Sequence, residues 1–415
     1  MDSTDWGALA QDWLARLAAC SAPGPGVTRL PFTPEHRAAL KVLRALMRQA
    51  GLSVHLDAAG TLIGRQEGPE GQSQAAGAPV LLLGSHQDSV REGGAYDGIM
   101  GVVLPILALM KLRRAGARLP FAVEVLAFAD EEGVRFPTAL MGPRALAGTF
   151  DMAALEMQDR DGISLRRAME DFGLVPDALP QLRRDPAQVL GWIETHLEQG
   201  PVLERSGHSL GIVTAICGIE RHMVTLHGAA AHAGTLPMAL RRDALAGASE
   251  LVLEVERLAQ GRAGLLATVG AVTVRPGVVN AVPGEVALTV ELRAPDDADR
   301  TAAAAALALS AQAIAARRKL GLEMSRSYAQ PATLCAEQII SALSEAAMAC
   351  GHAAPLLPSG ATHDASAMAD LCPVGMIFTR CRDGISHHPD EYVDSAAISE
   401  AICVLEQAIS RVNPA

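Results

Sequence analysis

Short apolar segments alternate with helical patterns in the first half of the chain. Pro79–Gly84 and Phe121–Ala129 are almost wholly apolar runs, as found in buried parallel strands. Pro34–Ala50 and Gly98–Gly116 have helical spacing, and Thr33 suits the N-cap of the first. This alternation of strands and helices predicts an open α/β sheet.

A different pattern begins near Gly211. His222–Gly228 and Glu285–Arg293 alternate apolar and polar residues, as strands with one solvated face do. Together with the other predicted elements they give a β-α-β-β-α order that resembles the ferredoxin-like motif. Those other elements are a helix over Pro237–Ala259, a strand over Leu265–Val274 and a helix over Asp296–Leu320.

The first pattern returns after Gln330, with a predicted helix over Ala336–Cys350 and an apolar strand over Val374–Thr379. We therefore predict a discontinuous α/β domain, 1–211 and 330–415, with a mixed, mainly parallel sheet and helices on both faces. Residues 212–329 are predicted to form an inserted α+β domain. Two domains also fit a chain of 415 residues, which exceeds one hydrophobic core. The polar segment Gly68–Gly77 is predicted to be a surface loop.

Composition narrows the possible functions. The net charge of −11 argues against a nucleic-acid partner, because phosphate binding needs a basic surface. The first twenty residues lack a signal-peptide pattern, and the apolar run Ile99–Met110 is too short to span a membrane. The seven cysteines are odd in number and never spaced C-x-x-C. This usage predicts free thiols in a reducing cytoplasm rather than a disulfide framework.

Histidines and carboxylates gather beside glycine in five segments, mostly just after predicted strands. In open α/β sheets, ligands bind beyond the carboxyl ends of the strands. The segments are 84–89 with His86 and Asp88, 93–98 with Asp97, 130–133 with Glu131 and Glu132, 192–200 with His196 and Glu198, and 384–391 with His387.

Each segment alone also has an ordinary structural interpretation. Asp97 suits a helix N-cap, and the pair Glu131 and Glu132 suits a solvated acidic turn. Together the segments offer imidazole and carboxylate without thiolate, which suits Zn, Mn, Co or Ni. A carboxylate that bridges two cations would also match two-metal activation of water. The residues alone therefore favour metal-assisted hydrolysis without excluding the structural alternatives.

The chain resembles the hydantoinase/carbamoylase branch of the dinuclear metallopeptidases, which includes allantoate amidohydrolases, N-carbamoyl-L-amino acid hydrolases and β-ureidopropionases. The resemblance covers nearly the whole chain. It rests on the motifs GSHQDSVREGGAYDG, FADEEGVRFP, HLEQGPVLE, HAGTLPMALRRDA, RPGVVNAVPGEV, SGATHDA and GISHHPDE, in that order.

The resemblance implies two divalent ions, Zn or Mn with Co or Ni as alternatives, and a hydroxide between them. It makes Glu131 the general base, and Asp88 lies where it can support His86 from behind. By matching position, the implied ligands are His86 and His196 for one ion, Glu132 and His387 for the other, and Asp97 as the bridge.

Further residues are implied around the substrate. His232, in the predicted inserted domain, matches a histidine that reaches into the partner subunit's site and stabilises the oxyanion, which implies a homodimer. Arg241 has two open interpretations, a pocket residue or a solvated helix face. The residues implied to contact the substrate are Gln199, Asn280, Arg293 and His363.

The implied reaction is hydrolysis of the C–N bond of a linear ureido compound that carries a carboxylate, such as allantoate or an N-carbamoyl-L-amino acid. His196 favours this over peptide hydrolysis, because related exopeptidases place a carboxylate there. An aminoacylase or dipeptidase, or a non-catalytic binding protein, are the alternatives. Three departures from the family pattern, Gln87, Thr362 and Glu291, leave the substrate open.

Overall fold

A computed structural model describes residues 4–68 and 79–412. The chain divides into two compact units. The large unit comprises Met1–Thr214, Cys335–Leu357 and Thr362–Ala415, and the small unit comprises Ala215–Leu334 and Pro358–Ala361. The predicted loop Gly68–Gly77 lies, apart from its first residue, outside the described residues.

The helices and strands are numbered in chain order. The helices are α1 (Trp6–Ala18), α2 (Pro34–Gln49), α3 (Ile99–Arg114), α4 (Met141–Ala147), α5 (Leu165–Asp171), α6 (Val202–Ser206), α7 (Ala244–Gln260), α8 (Asp297–Arg318), α9 (Glu337–Ala349), α10 (Ala365–Met368) and α11 (Ser395–Ile409). The strands are β1 (Ser53–Leu56), β2 (Leu62–Gln66), β3 (Val80–His86), β4 (Ala122–Phe128), β5 (Val189–Leu197), β6 (Leu210–Ile216), β7 (Gly218–His227), β8 (Ala231–His232), β9 (Leu266–Arg275), β10 (Ala281–Val282), β11 (Glu285–Ala294), β12 (Gly321–Gln330), β13 (Thr333–Leu334), β14 (Leu356–Ser359) and β15 (Val374–Thr379).

The large unit is built on a mixed sheet, with strands in the order β1-β2-β4-β3-β5-β15-β6. The central strands β4, β3, β5 and β15 are parallel to their neighbours in this group. The flanking pairs β1-β2, β2-β4 and β15-β6 are antiparallel. The prediction of a mixed sheet with a parallel centre is therefore confirmed, and β3, β4 and β15 are the three strands predicted from their apolar runs.

Helix α3 is buried on all sides. Every residue from Ile99 to Met110 is buried, which agrees with an apolar pattern all around the helix. The helix packs against β3, β5, α1 and α11 in the core of the large unit. Among the described residues, no helix is long and apolar enough to cross a membrane.

The small unit has a four-stranded antiparallel sheet in the order β12-β7-β11-β9. Helices α7 and α8 pack against the sheet and form a separate hydrophobic core. With β12, the unit has the full β-α-β-β-α-β order of the ferredoxin-like motif. This last strand was not predicted, because most of its residues are exposed and only Leu322 and Met324 pack against the core.

The predicted start of the helix at Pro237 is wrong. Helix α7 begins at Ala244, because the carboxylate of Asp243 accepts hydrogen bonds from the backbone N–H groups of Leu245 and Ala246. Such N-cap bonds satisfy amides that otherwise lack partners and so mark where a helix begins. The residues after Pro237 form only a short 3-10 turn, Met238–Leu240.

The expectation of free thiols is wrong for one pair of cysteines. Cys350 caps α9 and Cys403 lies in α11, and the two form a disulfide with Cα atoms 6.4 Å apart. They are separated by 53 residues, so only the packing of α9 against α11 brings them together. The other cysteines are free.

Leu107 offers a test of the large unit's core. Replacing Leu107, which is fully buried in α3, by Ala should lower the free energy of unfolding by about 2–5 kcal/mol because it leaves a cavity. Urea unfolding in the presence of a chelator measures this change without a contribution from bound metal. The same substitution at Leu356, which is 59% exposed, is the control and should change stability little. Equal effects of the two substitutions would contradict the assigned core.

Candidate metal centre

The parallel strands of the large unit bring the predicted segments to one edge of the sheet. His86 ends β3, Glu131 and Glu132 follow β4, and His196 is the penultimate residue of β5. The segment with His387 follows β15, which is the parallel neighbour of β5. Because the carboxyl ends of neighbouring parallel strands share an edge, these side chains converge there. Asp97 joins them from the loop that precedes α3.

Asp97 lies between two groups of side chains. Its Oδ1 atom is 3.0 Å from Nε2 of His196 and 3.7 Å from Nε2 of His86. Its Oδ2 atom is 3.0 Å from Nε2 of His387, which is itself 3.7 Å from Oε1 of Glu132. Within each of these groups, the potential ligand atoms lie within 4.8 Å of one another. One carboxylate therefore presents one oxygen to each group.

Backbone carbonyls fix the orientation of two of the imidazoles. Nδ1 of His86 is 3.1 Å from the carbonyl oxygen of Asp88, and Nδ1 of His196 is 3.0 Å from that of Leu197. A carbonyl can only accept, so Nδ1 carries the proton in both rings and donates it. In the neutral form of each ring the lone pair therefore lies on Nε2, which faces Asp97 and can bind a metal.

Asp88 supports the acidic pair as well as His86. Its Oδ1 accepts the backbone N–H of Glu131 at 3.1 Å, and its Oδ2 accepts that of Glu132 at 3.2 Å. Oδ1 also lies 3.5 Å from Nδ1 of His86. The buried carboxylate of Asp88 thus links the end of β3 to the turn after β4 and fixes the backbone positions of Glu131 and Glu132.

Glu194 is a structural neighbour of the cluster. Its ligand atom lies within 4.8 Å of those of His196 and His363, so the three could in principle hold an ion. However, its two oxygens already accept hydrogen bonds from the hydroxyl of Ser85, the indole N–H of Trp192 and the backbone N–H of Ala365. Glu194 therefore connects β3 and β5 to the segment that carries His363.

The residues predicted to contact the substrate fall in both units. In the large unit, Gln199 donates from Nε2 to Oδ2 of Asp97 at 3.2 Å, and the ring of His363 lies 4.6 Å from that of His196. In the small unit, β8 pairs with β10, which places His232 opposite Ala281 and beside Asn280.

Two predicted arginines of the small unit have defined contacts. Arg293 lies on β11, and its guanidinium donates to Oε1 of Glu291 at 2.7 Å and to the carbonyl oxygen of Gly360 at 2.5 Å. Arg241 precedes α7, so it does not lie on a helix face as one interpretation had it. Its guanidinium donates to the carbonyl oxygens of Ala233 and Leu236.

Burial shifts the proton affinities of the cluster. It raises the pKa of Glu131 well above the usual range and that of Glu132 to about 7. Burial would also raise the pKa of Asp97, but hydrogen bonds from His196 and His387 hold it well below its usual value. The hydrogen bond to Asp97 raises the pKa of His387 to about 9. Without another cation, the glutamates therefore hold protons and the histidines supply the positive charge.

The donors present fit divalent cations. They are carboxylate oxygens and imidazole Nε2 atoms, which bind Zn and Mn among other ions. Oε1 of Glu132 and both carboxylate oxygens of Asp364 are buried without a hydrogen-bond partner among the described residues. Buried polar atoms seldom stay unpaired, and a cation beside His387 would account for Oε1 of Glu132.

Sequence reasoning missed the residues that make room for the predicted ligands or hold them in place. Gly98 has a φ of +63°, and a Cβ atom there would lie 2.3 Å from the ring of His86. Ser386 and Glu391 contact the backbone or side chain of Asp97. Gly98, Ser386 and Glu391 all lie within the motifs that carry the family resemblance. A search for histidines and pairs of acidic residues does not detect residues whose role is only to support them.

The pKa of His387 predicts how metal affinity depends on pH. Only neutral imidazole binds a metal, so below about pH 9 binding must displace a proton. We expect the affinity to keep rising up to about pH 9, above the range near pH 6.5 in which an ordinary histidine titrates. In the metal-free protein, the same raised pKa stabilises the fold fully below about pH 6.5, and this is lost as the pH rises through about 9. Competition with a chromophoric chelator at several pH values measures the affinity.

Two histidine variants test this assignment. His387→Ala should show a smaller increase above about pH 7, because binding then displaces one proton fewer. His388→Ala, at the exposed neighbouring residue, should keep it. An affinity that levels off near pH 7 in the unmodified protein would contradict the raised pKa.

Comparison with known proteins agrees with this geometry. Residues 82–411 match the pattern of peptidase family M20/M25/M40. The N-carbamoyl-L-amino acid amidohydrolase of Geobacillus stearothermophilus is 42% identical, over 89% of each chain. The allantoate deiminase of Arabidopsis thaliana is 37% identical, over 96% of this chain and 82% of its own.

A solved structure extends the similarity to the fold. The amidase of the hydantoinase/carbamoylase family from Burkholderia multivorans superimposes with a TM-score of 0.91, at 33% identity over 98% of both chains. The aminopeptidase PepT of Bacillus cereus, at 15% identity and a TM-score of 0.64, shares the fold alone. The family resemblance seen in the motifs is therefore confirmed, and with it the use of a divalent metal. The chain belongs to peptidase family M20/M25/M40, and within it to the hydantoinase/carbamoylase amidases.

Proposed function

We propose that the protein is an amidohydrolase with two divalent metal ions, and that it cleaves the C–N bond of a linear ureido compound bearing a carboxylate. Allantoate and N-carbamoyl-L-amino acids are the proposed substrates. The arrangement of Asp97 carries this proposal, because its two oxygens face two different groups of ligand atoms. The names of the similar amidohydrolases and deiminases support the same substrate class.

The proposed ligands divide between the two sides of Asp97. When bound, divalent ions would polarise the ureido carbonyl and make water a stronger nucleophile. Zn or Mn fits these ligands, and Co or Ni is an alternative. We assign His86 and His196 to one ion, Glu132 and His387 to the other, and Asp97 to both.

Glu131 is the proposed general base. Its side chain is buried, with Oε2 4.0 Å from Nε2 of His86, and Asp88 holds its backbone N–H. Burial raises its pKa well above the usual range, so the carboxylate can accept a proton from water and pass it to the leaving nitrogen. A glutamate of ordinary acidity would accept that proton less readily.

His196 supports a ureido rather than a peptide substrate. A neutral imidazole in place of a carboxylate leaves more net positive charge on the ion beside it, which favours attack on a poorly electrophilic ureido carbonyl. The ring is buried, and its Nδ1 proton is held by the carbonyl oxygen of Leu197. His196 can therefore act as a neutral ligand without losing a proton from Nδ1.

The small unit supplies the proposed contacts to the substrate. Nδ1 of His232 accepts the backbone N–H of Gly234 at 3.1 Å, so the ring proton lies on Nε2, where it can donate to an oxyanion. The guanidinium of Arg293, oriented by Glu291, suits the substrate carboxylate. We assign Asn280 to the substrate because the hairpin places it beside His232. In the large unit, Gln199 and His363 border the ligands and complete the proposed contacts.

The substitution Glu131→Gln tests the general base. It keeps the size of the side chain but removes proton acceptance, so kcat should fall by about 10²–10⁴-fold. Metal content should stay unchanged, as measured by elemental analysis after chelation and reloading. Glu156→Gln, at a glutamate with an exposed side chain, is the matched control and should leave turnover unchanged. Near-normal turnover of Glu131→Gln would show that another group accepts the proton.

A substrate panel tests the reaction itself. Ammonia release from allantoate and from N-carbamoyl-L-amino acids should depend on metal and be abolished by chelation. N-acetyl amino acids and dipeptides should be cleaved far more slowly. Cleavage of peptides without cleavage of ureido compounds would instead identify an aminoacylase or dipeptidase. No turnover of either class by the metal-loaded protein would favour a binding protein.

The proposed homodimer would form through the small unit. Strand β9 is an edge strand of its sheet, and residues 266–274 contain no charged side chain. Leu266 and Val272 on this strand are 58% and 48% exposed. Edge strands that stay unpaired are usually protected by charges, as Glu323 and Arg326 protect β12 at the other edge. An uncharged edge with exposed apolar residues therefore suits pairing with a second copy.

A charge on β9 should break this dimer. Val272→Lys should give a monomer in sedimentation or light scattering, whereas Ser325→Lys on β12 should remain dimeric. Mixing Glu131→Gln and His232→Ala subunits then tests whether His232 acts in the partner's site. If it does, about a quarter of the sites in a 1:1 mixture regain both residues and turnover returns. A mixture that stays inactive would place His232 in its own subunit's site.

We also propose a cytoplasmic location. The free thiols of Cys20, Cys217, Cys335, Cys372 and Cys381 support a reducing compartment. The disulfide between Cys350 and Cys403 is unusual for such a compartment and is the feature that argues against this location.

A further inference from the structure

Glu391 is a buried carboxylate to which neither the motifs nor the reaction assigns a role. It is 4% exposed and follows His387 in the segment between β15 and α11. Its Oε1 accepts the backbone N–H groups of Tyr96 and Asp97, at 2.9 and 3.0 Å. One carboxylate oxygen of this segment therefore holds the backbone of the loop that carries Asp97.

The other oxygen of Glu391 holds its own segment. Oε2 accepts the hydroxyl proton of Ser386 at 2.8 Å, and Ser386 is the residue before His387. The hydroxyl oxygen of Ser386 in turn accepts from Nε2 of Gln199 at 3.1 Å. The loop of Asp97 and the segment of His387 are therefore both hydrogen-bonded to the carboxylate of Glu391.

Two backbone features show that this contact is built into both loops. A Cβ atom at Gly94 would lie 2.1 Å from Oε1 of Glu391, so the carboxylate reaches the loop only because residue 94 has no side chain. His387 has a φ of +56°, in the left-handed region that non-glycine residues seldom adopt. Contacts on both sides of His387 hold it there, and the bond between Ser386 and Glu391 is one of them.

We propose that Glu391 is a positioning residue that sets the separation of Asp97 from His387, and so shapes one of the two metal sites selectively. This inference rests on the proposed two-metal function. The site affected is that of Asp97, Glu132 and His387. The site of His86 and His196 shares Asp97 but should be affected less, because its two imidazoles are oriented by carbonyl bonds to their Nδ1 atoms, which Glu391 does not contact.

The substitution Glu391→Gln tests the proposal through metal binding rather than turnover. The amide keeps one acceptor for the two N–H groups, but its NH2 group cannot accept from Ser386. The hydroxyl of Ser386 can then no longer donate to residue 391 and must instead accept a hydrogen bond from its NH2 group. In calorimetric titration of the metal-free protein with Zn, we expect one equivalent to bind with little change and the second about 10–100-fold more weakly.

The control is Glu204→Gln. The carboxylate of Glu204 accepts the backbone N–H of Asp383, four residues before His387, but within the described residues it makes no hydrogen bond or ion pair with Asp97 or His387. Glu204→Gln removes the same charge as Glu391→Gln and should leave the affinity for both Zn equivalents unchanged. Ser386→Ala removes the hydroxyl that joins Glu391 to the segment of His387 and that also lies 3.3 Å from Oδ2 of Asp97, so it should weaken the same equivalent. It also provides a test if Glu391→Gln fails to fold.

The outcomes separate this inference from the proposed function. Two tight equivalents in Glu391→Gln and Ser386→Ala, or an equal loss at both sites, would overturn the positioning role alone. A single equivalent in the unmodified protein would overturn the two-metal proposal and this inference together. Absence of ureido hydrolysis would count against the substrate and leave the binding result intact.

Discussion

More carboxylates are buried at one edge of the large unit's sheet than its own positive charges can neutralise. Asp97, Glu131 and Glu132 share this space with Asp88, Asp130, Asp364 and Glu391, opposite the three imidazoles of the cluster. Burying an uncompensated charge is costly, so such a group either binds protons or binds cations. Without a metal, the raised pKa values of the glutamates and of His387 mean that these groups bind protons. A divalent metal would take the place of these protons, so metal binding releases them.

Hydrogen bonds to buried carboxylates hold each acidic loop against a neighbouring element of the fold. Asp88 holds the turn after β4, Glu194 holds the segment of His363, and Glu391 holds the loop of Asp97. Each of these three carboxylates accepts at least two hydrogen bonds, including one or more from backbone N–H groups, and so shares its charge with several donors. The side chains of the proposed ligands therefore start from fixed backbone positions, and little rearrangement would be needed when a cation binds.

Much of this architecture could be predicted from the sequence, because it depends on local patterns. The apolar runs that become β3, β4 and β15 identify the parallel strands, and the motifs after them contain His86, Glu131 and His387, which the structure brings to one edge of the sheet. Other features depend on contacts between distant residues. The roles of Glu391 and Glu194 arise only when loops far apart in the chain meet, and the disulfide of Cys350 depends on two packed helices. Strand β12 escaped prediction because its outer face is polar and exposed.

The two sides of Asp97 differ in their access to solvent. The imidazoles of His86 and His196 are almost completely buried, whereas the side chain of His387 is 49% exposed. Ligand exchange at a metal proceeds through its accessible coordination positions, so in the proposed two-metal centre an ion beside His387 would be directly open to solvent and chelators. An ion between His86 and His196 could be exchanged only after the ion beside His387 had left. The centre would therefore fill from the inside outwards and empty in the reverse order, so that brief chelation would give a half-loaded protein.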